Sequence, residues 1–271
     1  MKNIRTLKFL KGRIIASIMF AALVSWAPFF VAETRAQVAP PASNIFQALD
    51  SDGDGLPDDS EVKIYGTDSQ NTDTDGDGYF DGDEIKNGFS PLLKEKVQLS
   101  RVDSDKDGMN DAWEIALGTG VMNPDSDGDR FLDWTEVVAG FDPLDPSPSK
   151  KISKHIYVDI KTRRMTYFFG NVMLGDVLIA IGKPKSPTPI GEFSVLAKVP
   201  SKHYKGPTWD YPNTKWNLRF TTKKGLGYYI HGAYWHHNWG GMVSGGCVNV
   251  PYADMEPLYA FAQFGTPVTI K

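Results

Sequence analysis

Four copies of one twelve-residue pattern constrain this 271-residue chain more than any other feature: DSDGDGLPDDSE (50–61), DTDGDGYFDGDE (73–84), DSDKDGMNDAWE (103–114) and DSDGDRFLDWTE (125–136). Each carries acids at positions 1, 3, 5, 9 and 12. Carboxylates this close repel one another and supply no apolar surface, so a cation must organise them. The candidate ligands are Asp50, Asp52, Asp54, Asp58 and Glu61; Asp73, Asp75, Asp77, Asp81 and Glu84; Asp103, Asp105, Asp107, Asp111 and Glu114; and Asp125, Asp127, Asp129, Asp133 and Glu136. Position 7 (Leu56, Tyr79, Met109, Phe131) offers a backbone carbonyl. Oxygen donors without His or Cys select calcium over zinc or copper, with the final Glu bidentate. Glycine at position 6 (Gly55, Gly78, Gly108) permits the sharp turn. The fourth loop has Arg130 there, which strains the backbone and sets a positive charge beside the ion, so a weaker site is expected.

The approaches to these loops (GTDSQNT, GTGVMNP) read as turns, unlike the leading helix of a helix–loop–helix calcium pair. Short helical segments follow each loop (EVKIY, EIKN, EIAL, EVVA), each ended by Gly. The unit resembles the thrombospondin type 3 repeats of bacterial envelope proteins, over residues 46–146. The resemblance implies ion-stabilised spacers with little hydrophobic core.

The formal net charge of −4 conceals three segments: +5 over 1–42, −19 over 43–149 and +10 over 150–271. The contrast marks a boundary near PSPSKKISK, read as a linker at 147–153. The first segment has a basic start (Lys2, Arg5, Lys8, Lys11, Arg13), an apolar run from Ile14 to Ala32, and small residues before Ala36. It reads as a signal peptide, 1–36, followed by a linker, 37–45, with no stable membrane span after cleavage. Export to the periplasm or cell envelope follows, and with it no role in nucleic-acid binding.

Residues 154–271 read as mostly β: HIYVDIKTRRMTYFFG, GDVLIAIG, GEFSVLAKV, WNLRFTT, GYYIHGAYW and GTPVTIK alternate and are punctuated by Gly and Pro. Only YADMEPLYAFAQFG (252–265) has helical spacing. Within this segment stands the one cysteine of the chain, Cys247, in SGGCVNV, sixteen residues after His231 in IHGAYWHHNWGG. An imidazole beside a thiol can take its proton or pair with the thiolate, which would lower the cysteine pKa well below about 8.5. The glycines let a carbonyl approach, and the N–H groups of Gly246 and Cys247 are candidates for an oxyanion hole.

TPIGEF (188–193), the His-Gly pair, the sixteen-residue interval, Ser-Gly-Gly-Cys-Val-Asn and the terminal helix and strand together resemble the YkuD-type L,D-transpeptidase catalytic domain, across 154–271. The resemblance implies a β-sandwich-like domain with one C-terminal helix. It also implies that the Gly232 carbonyl orients His231, and that catalysis needs no metal or organic cofactor. The reaction implied is acyl transfer on peptidoglycan stem peptides: Cys247 attacks the third stem residue, D-alanine leaves, and an amine of a neighbouring stem completes a 3→3 cross-link. Water as acceptor would give an L,D-carboxypeptidase, and an envelope lipoprotein is a further partner in some relatives. Gly245 stands where many members have His, which keeps open a calcium-dependent wall-binding module with an inactive catalytic loop.

Candidate substrate contacts are Ser244, Gly245, Asn249, Tyr234, Trp235 and His236. A zinc site built from His231, His236, His237 and Cys247 fits no common ligand spacing. Trp209, Tyr211 and Trp216 are either a flap over the site or a cap on the β core.

Overall fold

The computed structural model describes residues 48–223 and 225–271, so the expected signal peptide (1–36) and first linker (37–45) lie outside the described residues. No helix among these is long and apolar enough to cross a membrane.

Each acidic loop leads into one short helix: α1 (Asp58–Ser60, running on as a π turn over Glu61–Tyr65), α2 (Asp81–Asn87), α3 (Asp111–Leu117) and α4 (Asp133–Ala139). Acids crowd every first turn, where they complement the exposed N–H groups. Gly66, Gly88, Gly118 and Gly140 end the four segments in the left-handed conformation. The expected short helices with glycine stops are therefore present.

The loops join in pairs. Gly82 N–H of the second loop donates to Asp54 Oδ2 of the first at 2.8 Å, and Trp134 N–H of the fourth donates to Asp107 Oδ2 of the third at 2.8 Å. At Gly82 a Cβ would stand 2.4 Å from the Asp54 carbonyl oxygen, a backbone atom that cannot step aside. Gly82→Ala is therefore expected to destabilise the chain by about 1–3 kcal/mol. It should also weaken calcium uptake by the first loop more than by the third. Calcium titration of the variant checks this, and equal weakening at both loops would refute the pairing.

Eleven strands follow: β1 (Lys154–Asp159), β2 (Arg164–Phe169), β3 (Val172–Leu178), β4 (Ile181–Gly182), β5 (Gly191–Ser194), β6 (Ala197–Gly206), β7 (Trp209–Lys223), β8 (Leu226–Gly232), β9 (Met242–Ser244), β10 (Val248–Val250) and β11 (Pro267–Ile270). One sheet has the order β3-β2-β1-β11-β5, a second β10-β8-β7-β6, and β4 pairs with β9. Both large sheets bury one face in a common core: Ile156, Val158 and Val268 from the first, Leu218, Phe220, Ile230, Val248 and Val250 from the second. Helix α5 (Tyr252–Phe261) adds Met255, Leu258 and Phe261. The class is mostly β with one C-terminal helix, as expected.

The acidic segment differs from the spacer that its repeats suggested. Met109, Trp113 and Val137, from the third and fourth units, lie in the same core as the sheets. Trp113 meets Tyr167 of β2 at 5.8 Å and Phe261 of α5 at 5.7 Å, both edge-on. Lys154, at the start of β1, donates to the carbonyls of Val138 and Phe261 at 2.9 Å each. A seven-residue helix shows too few turns for a periodic apolar face, so this docking left no pattern in the sequence.

Candidate active site and acidic loops

Period-two alternation places the candidate residues. Ile230, Val248 and Val250 enter the core, so their neighbours Tyr229, His231, Cys247 and Asn249 face the other side of the second sheet. β10 runs parallel to β8, with Val248 opposite Ile230 and Asn249 opposite His231. Cys247, one residue earlier, falls beside Tyr229. Cys247, His231, Asn249, Ser244, Gly245 and Trp235 all line one cavity of about 750 Å³.

His231 is almost wholly buried, and its Nδ1 lies 2.9 Å from the Gly232 carbonyl oxygen. A carbonyl only accepts, so Nδ1 carries the proton and Nε2 keeps its lone pair. Burial pushes His231 down to about 4 and Cys247 up to about 11. A backbone hydrogen bond from Tyr229 and the Lys202 charge oppose the thiol's shift without cancelling it. At neutral pH both groups are uncharged at rest. This differs from the lowered thiol pKa expected from the sequence, because desolvation outweighs the stabilisation that Tyr229 and Lys202 give the thiolate.

The sequence-derived neighbours fall into different places. Gly246 N–H donates to Ser244 Oγ at 3.0 Å, while Ser244 Oγ donates to the Cys247 carbonyl at 2.6 Å. Gly246 is thus engaged in bracing its own turn, which corrects its expected place as an oxyanion donor; the Cys247 N–H is the one left of that pair. Gly246 has φ +117, and a Cβ there would meet the Tyr228 ring at 2.6 Å. At Gly245 a Cβ would meet nothing within 4 Å. His236 meets the Asn249 amide at 2.9 Å and receives Asn238 N–H, so it secures the loop after β8 and does not line the cavity. Tyr234 donates to the Pro212 carbonyl at 2.9 Å, also outside the cavity. Of those three, Trp235 alone lines it, stacked on Tyr211 at 4.0 Å.

The β6–β7 hairpin supplies the facing wall. Trp209 and Tyr211 line the cavity, whereas Trp216 packs edge-on against Tyr252 at 5.0 Å. Sequence reading missed Tyr204, which stacks on His231 at 4.7 Å and donates to Asn217 Oδ1 at 2.9 Å. It also missed Arg219 and Lys202. Counting strand register from His231 is the signal that finds Arg219.

The acidic loops share one geometry. Acid oxygens at positions 1, 3 and 5 converge to within 4.8 Å in all four. Asp52, Asp75, Asp105 and Asp127 at position 3, and Glu61, Glu84, Glu114 and Glu136 at position 12, each keep a buried oxygen with no hydrogen-bond partner. Burial, then neighbouring carboxylates, pushes Glu114 up to about 10 and Glu84 and Glu136 up to about 7. Orphaned oxygens recurring at the same two positions are the donor set a hard cation takes. Position 9 differs from the equal ligand expected. Asp58, Asp81, Asp111 and Asp133 each accept from both the amide and the hydroxyl of the residue at position 2 of their own loop, at 2.6–2.9 Å. They brace the loop, and among them Asp81 also converges with Asp54 and Glu61 of the first loop. Arg130 takes the position-6 turn with φ +81, the left-handed conformation that its glycine counterparts adopt freely.

Comparison with known proteins gives the same two parts. The L,D-transpeptidase catalytic domain family matches residues 153–270, and the bacterial TSP3 repeat matches 50–72, 73–88 and 103–119, leaving the fourth loop outside. A putative L,D-transpeptidase of Bacillus subtilis strain 168, YqjB, is 30% identical over 139 residues, which span 48% of this chain and 75% of that protein. Among solved structures, an L,D-transpeptidase from Mycobacterium smegmatis is 27% identical with TM-score 0.41, covering 45% of this chain and 59% of its own. A mutant L,D-transpeptidase of Enterococcus faecium is 28% identical with TM-score 0.39, covering 44% of this chain and 50% of its own. The chain thus spans between half and three-fifths of those two.

Proposed function

The chain belongs to the L,D-transpeptidase family, and from that premise we propose that it is an exported cysteine transpeptidase forming 3→3 cross-links between peptidoglycan stems. The observation that carries the reading is the placing of Cys247 and His231 on one face of the second sheet, lining one cavity. The thiol attacks the carbonyl of the third stem residue while its proton passes to His231 Nε2. Since both groups rest uncharged, proton transfer accompanies attack instead of preceding it. The Cys247 N–H faces the developing oxyanion. The imidazolium then gives its proton to the departing D-alanine amine, leaving a thioester on Cys247. An amine of a neighbouring stem, deprotonated by His231, attacks that thioester, and the thiol is restored. Mass spectrometry of muropeptides incubated with the wild-type protein and Cys247→Ala tests this. Dimers linked 3→3 from the wild type alone support it. Shortened stems without dimers would make water the acceptor, and unchanged muropeptides would defeat it.

The resting state has its own test. With the thiol pushed up to about 11, iodoacetamide alkylation should be slow at pH 6 and still rising between pH 8 and 10. With His231 pushed down to about 4, the base form persists on acidification, so kcat/KM should hold from pH 7 to 5 and fall below that. Fast alkylation on a plateau at pH 6 would show a resting thiolate instead.

We further propose that the loops hold calcium through positions 1, 3, 5, 7 and 12. The fully buried Glu114, with both carboxylate oxygens unpartnered, supports this reading most strongly. Bound calcium would neutralise the crowded carboxylates and fix each loop. A weaker fourth site is consistent with Arg130.

A further inference from the structure

Cys247 begins a row that crosses the second sheet. It falls beside Tyr229 of β8, and Tyr229 stands opposite Arg219 of β7. Residues opposite one another on adjacent strands point to the same face. Arg219 therefore enters the cavity that holds Cys247, two strand spacings away, on the order of 10 Å between Cα atoms. Arg219 is half-buried, and its Nε is shielded from solvent without a hydrogen-bond partner. Among the described residues no carboxylate forms an ion pair with it, whereas Arg164 on the first sheet is paired with Asp176 at 2.7 Å. Lys183, Lys202 and Lys205 also line the cavity; Lys205 is paired with Asp210 at 3.4 Å, and no Asp or Glu among the described residues lines the cavity itself. The Lys202 charge reaches the sulfur of Cys247. Arg219, Lys183 and Lys202 have no ion-pair partner among the described residues, and a wall of unpaired cations built round an arginine fork is complementary to a carboxylate.

We propose that Arg219 is a specificity-determining residue that reads a free carboxylate on the donor stem peptide. This rests on the reading of the cavity as the donor site of an L,D-transpeptidase. Such a donor can offer two carboxylates near the attacked carbonyl: one on the side chain of the attacked residue, one at the C-terminus of the residue that leaves. Amidation of either keeps shape and removes charge, so comparing the two amides identifies which one Arg219 reads.

The experiment uses three synthetic tetrapeptide donors: both carboxylates free, the side-chain amide, and the C-terminal amide. With the wild-type protein, one of the two amides is expected to raise KM by about tenfold or more. Arg219→Gln should raise KM for the free acid to the level of that amide, leave kcat within about twofold, and so abolish the discrimination. Arg219→Lys, which keeps the charge but loses the fork, should narrow it. Equal KM for all three donors in the wild type would overturn the proposal. So would discrimination that survives in Arg219→Gln or, if that variant fails to fold, is undiminished in Arg219→Lys. Calorimetric binding of the same donors to Cys247→Ala separates the two readings. Tighter binding of the free acid, with no turnover by the wild type, would end the transpeptidase assignment while upholding carboxylate recognition. Equal binding of acid and amides would overturn the carboxylate proposal even where turnover is intact.

Discussion

Cys247→Ala should lower 3→3 dimer formation by roughly four or more orders of magnitude while leaving donor affinity within a few-fold. The split follows from the site. The sulfur is the thiol nucleophile proposed to carry the acyl link, whereas much of the cavity wall belongs to β6, β7 and β8 and is unchanged by its removal. His231→Gln should be less severe, by roughly 10²–10⁴-fold, because general-base assistance is lost but the thiol remains. Its loss should also reshape the pH profile. Without an internal proton acceptor the variant depends on free thiolate, so its residual activity should climb as pH rises toward the thiol's value of about 11. The wild type should stay flat over that span. A His231→Gln variant with wild-type rate at pH 7 would remove the imidazole from the reaction. Cross-linking by Cys247→Ala would end the covalent mechanism altogether. Because Asn249 and His236 are joined at 2.9 Å, His236→Ala should act through the loop after β8, reducing activity without the change in pH profile.

Much of this site was legible in the chain because its chemistry is carried by local motifs. The lone Cys247, its glycines and the interval to His231 are visible in one dimension, as are the alternating strands that bring them to one face. Arg219 and Tyr204 were not legible, since their relation to Cys247 exists only through strand register. Gly246 was misjudged for a related reason. Sequence shows that a glycine amide is available in principle, but not that Ser244 Oγ has already taken its hydrogen. The acidic loops show the same limit. The spacing identified five acids per loop without distinguishing those whose oxygens remain unsatisfied from the position-9 acids that brace the turn. The pKa expectation failed on magnitude. A thiol beside an imidazole suggests an ion pair, yet burial of both groups favours the neutral pair, and burial cannot be read from a motif.

Chelation of calcium should destabilise the β domain as well as the repeats, lowering the melting temperature of the whole described body by roughly 10–30 °C. A site filled at ten- to thirtyfold over its Kd adds about 1–2 kcal/mol, so several sites add an amount comparable with the whole stability of an ordinary domain. For 150–250 residues each 1 kcal/mol moves the midpoint by about 2–4 °C. A spacer model would confine the loss to residues 46–146. The structure routes it further, because the third loop and α3 hold Met109 and Trp113 in the core shared with Tyr167 and Phe261. Emptying that loop leaves the buried Glu114 facing the four Asp carboxylates of its own loop, and the strain is borne by the segment that carries Trp113. Removing the contact itself gives the control. Trp113→Ala should cost about 3–5 kcal/mol with calcium present. It should also uncouple the two parts, so that chelation of the variant lowers the β-domain midpoint much less. Near-UV circular dichroism and hydrogen exchange at β1 and β2 read the β domain separately from the loops. A midpoint for those strands that is the same with and without chelator in the wild type would mean that Trp113 docks without transmitting stability, and that the repeats are spacers after all.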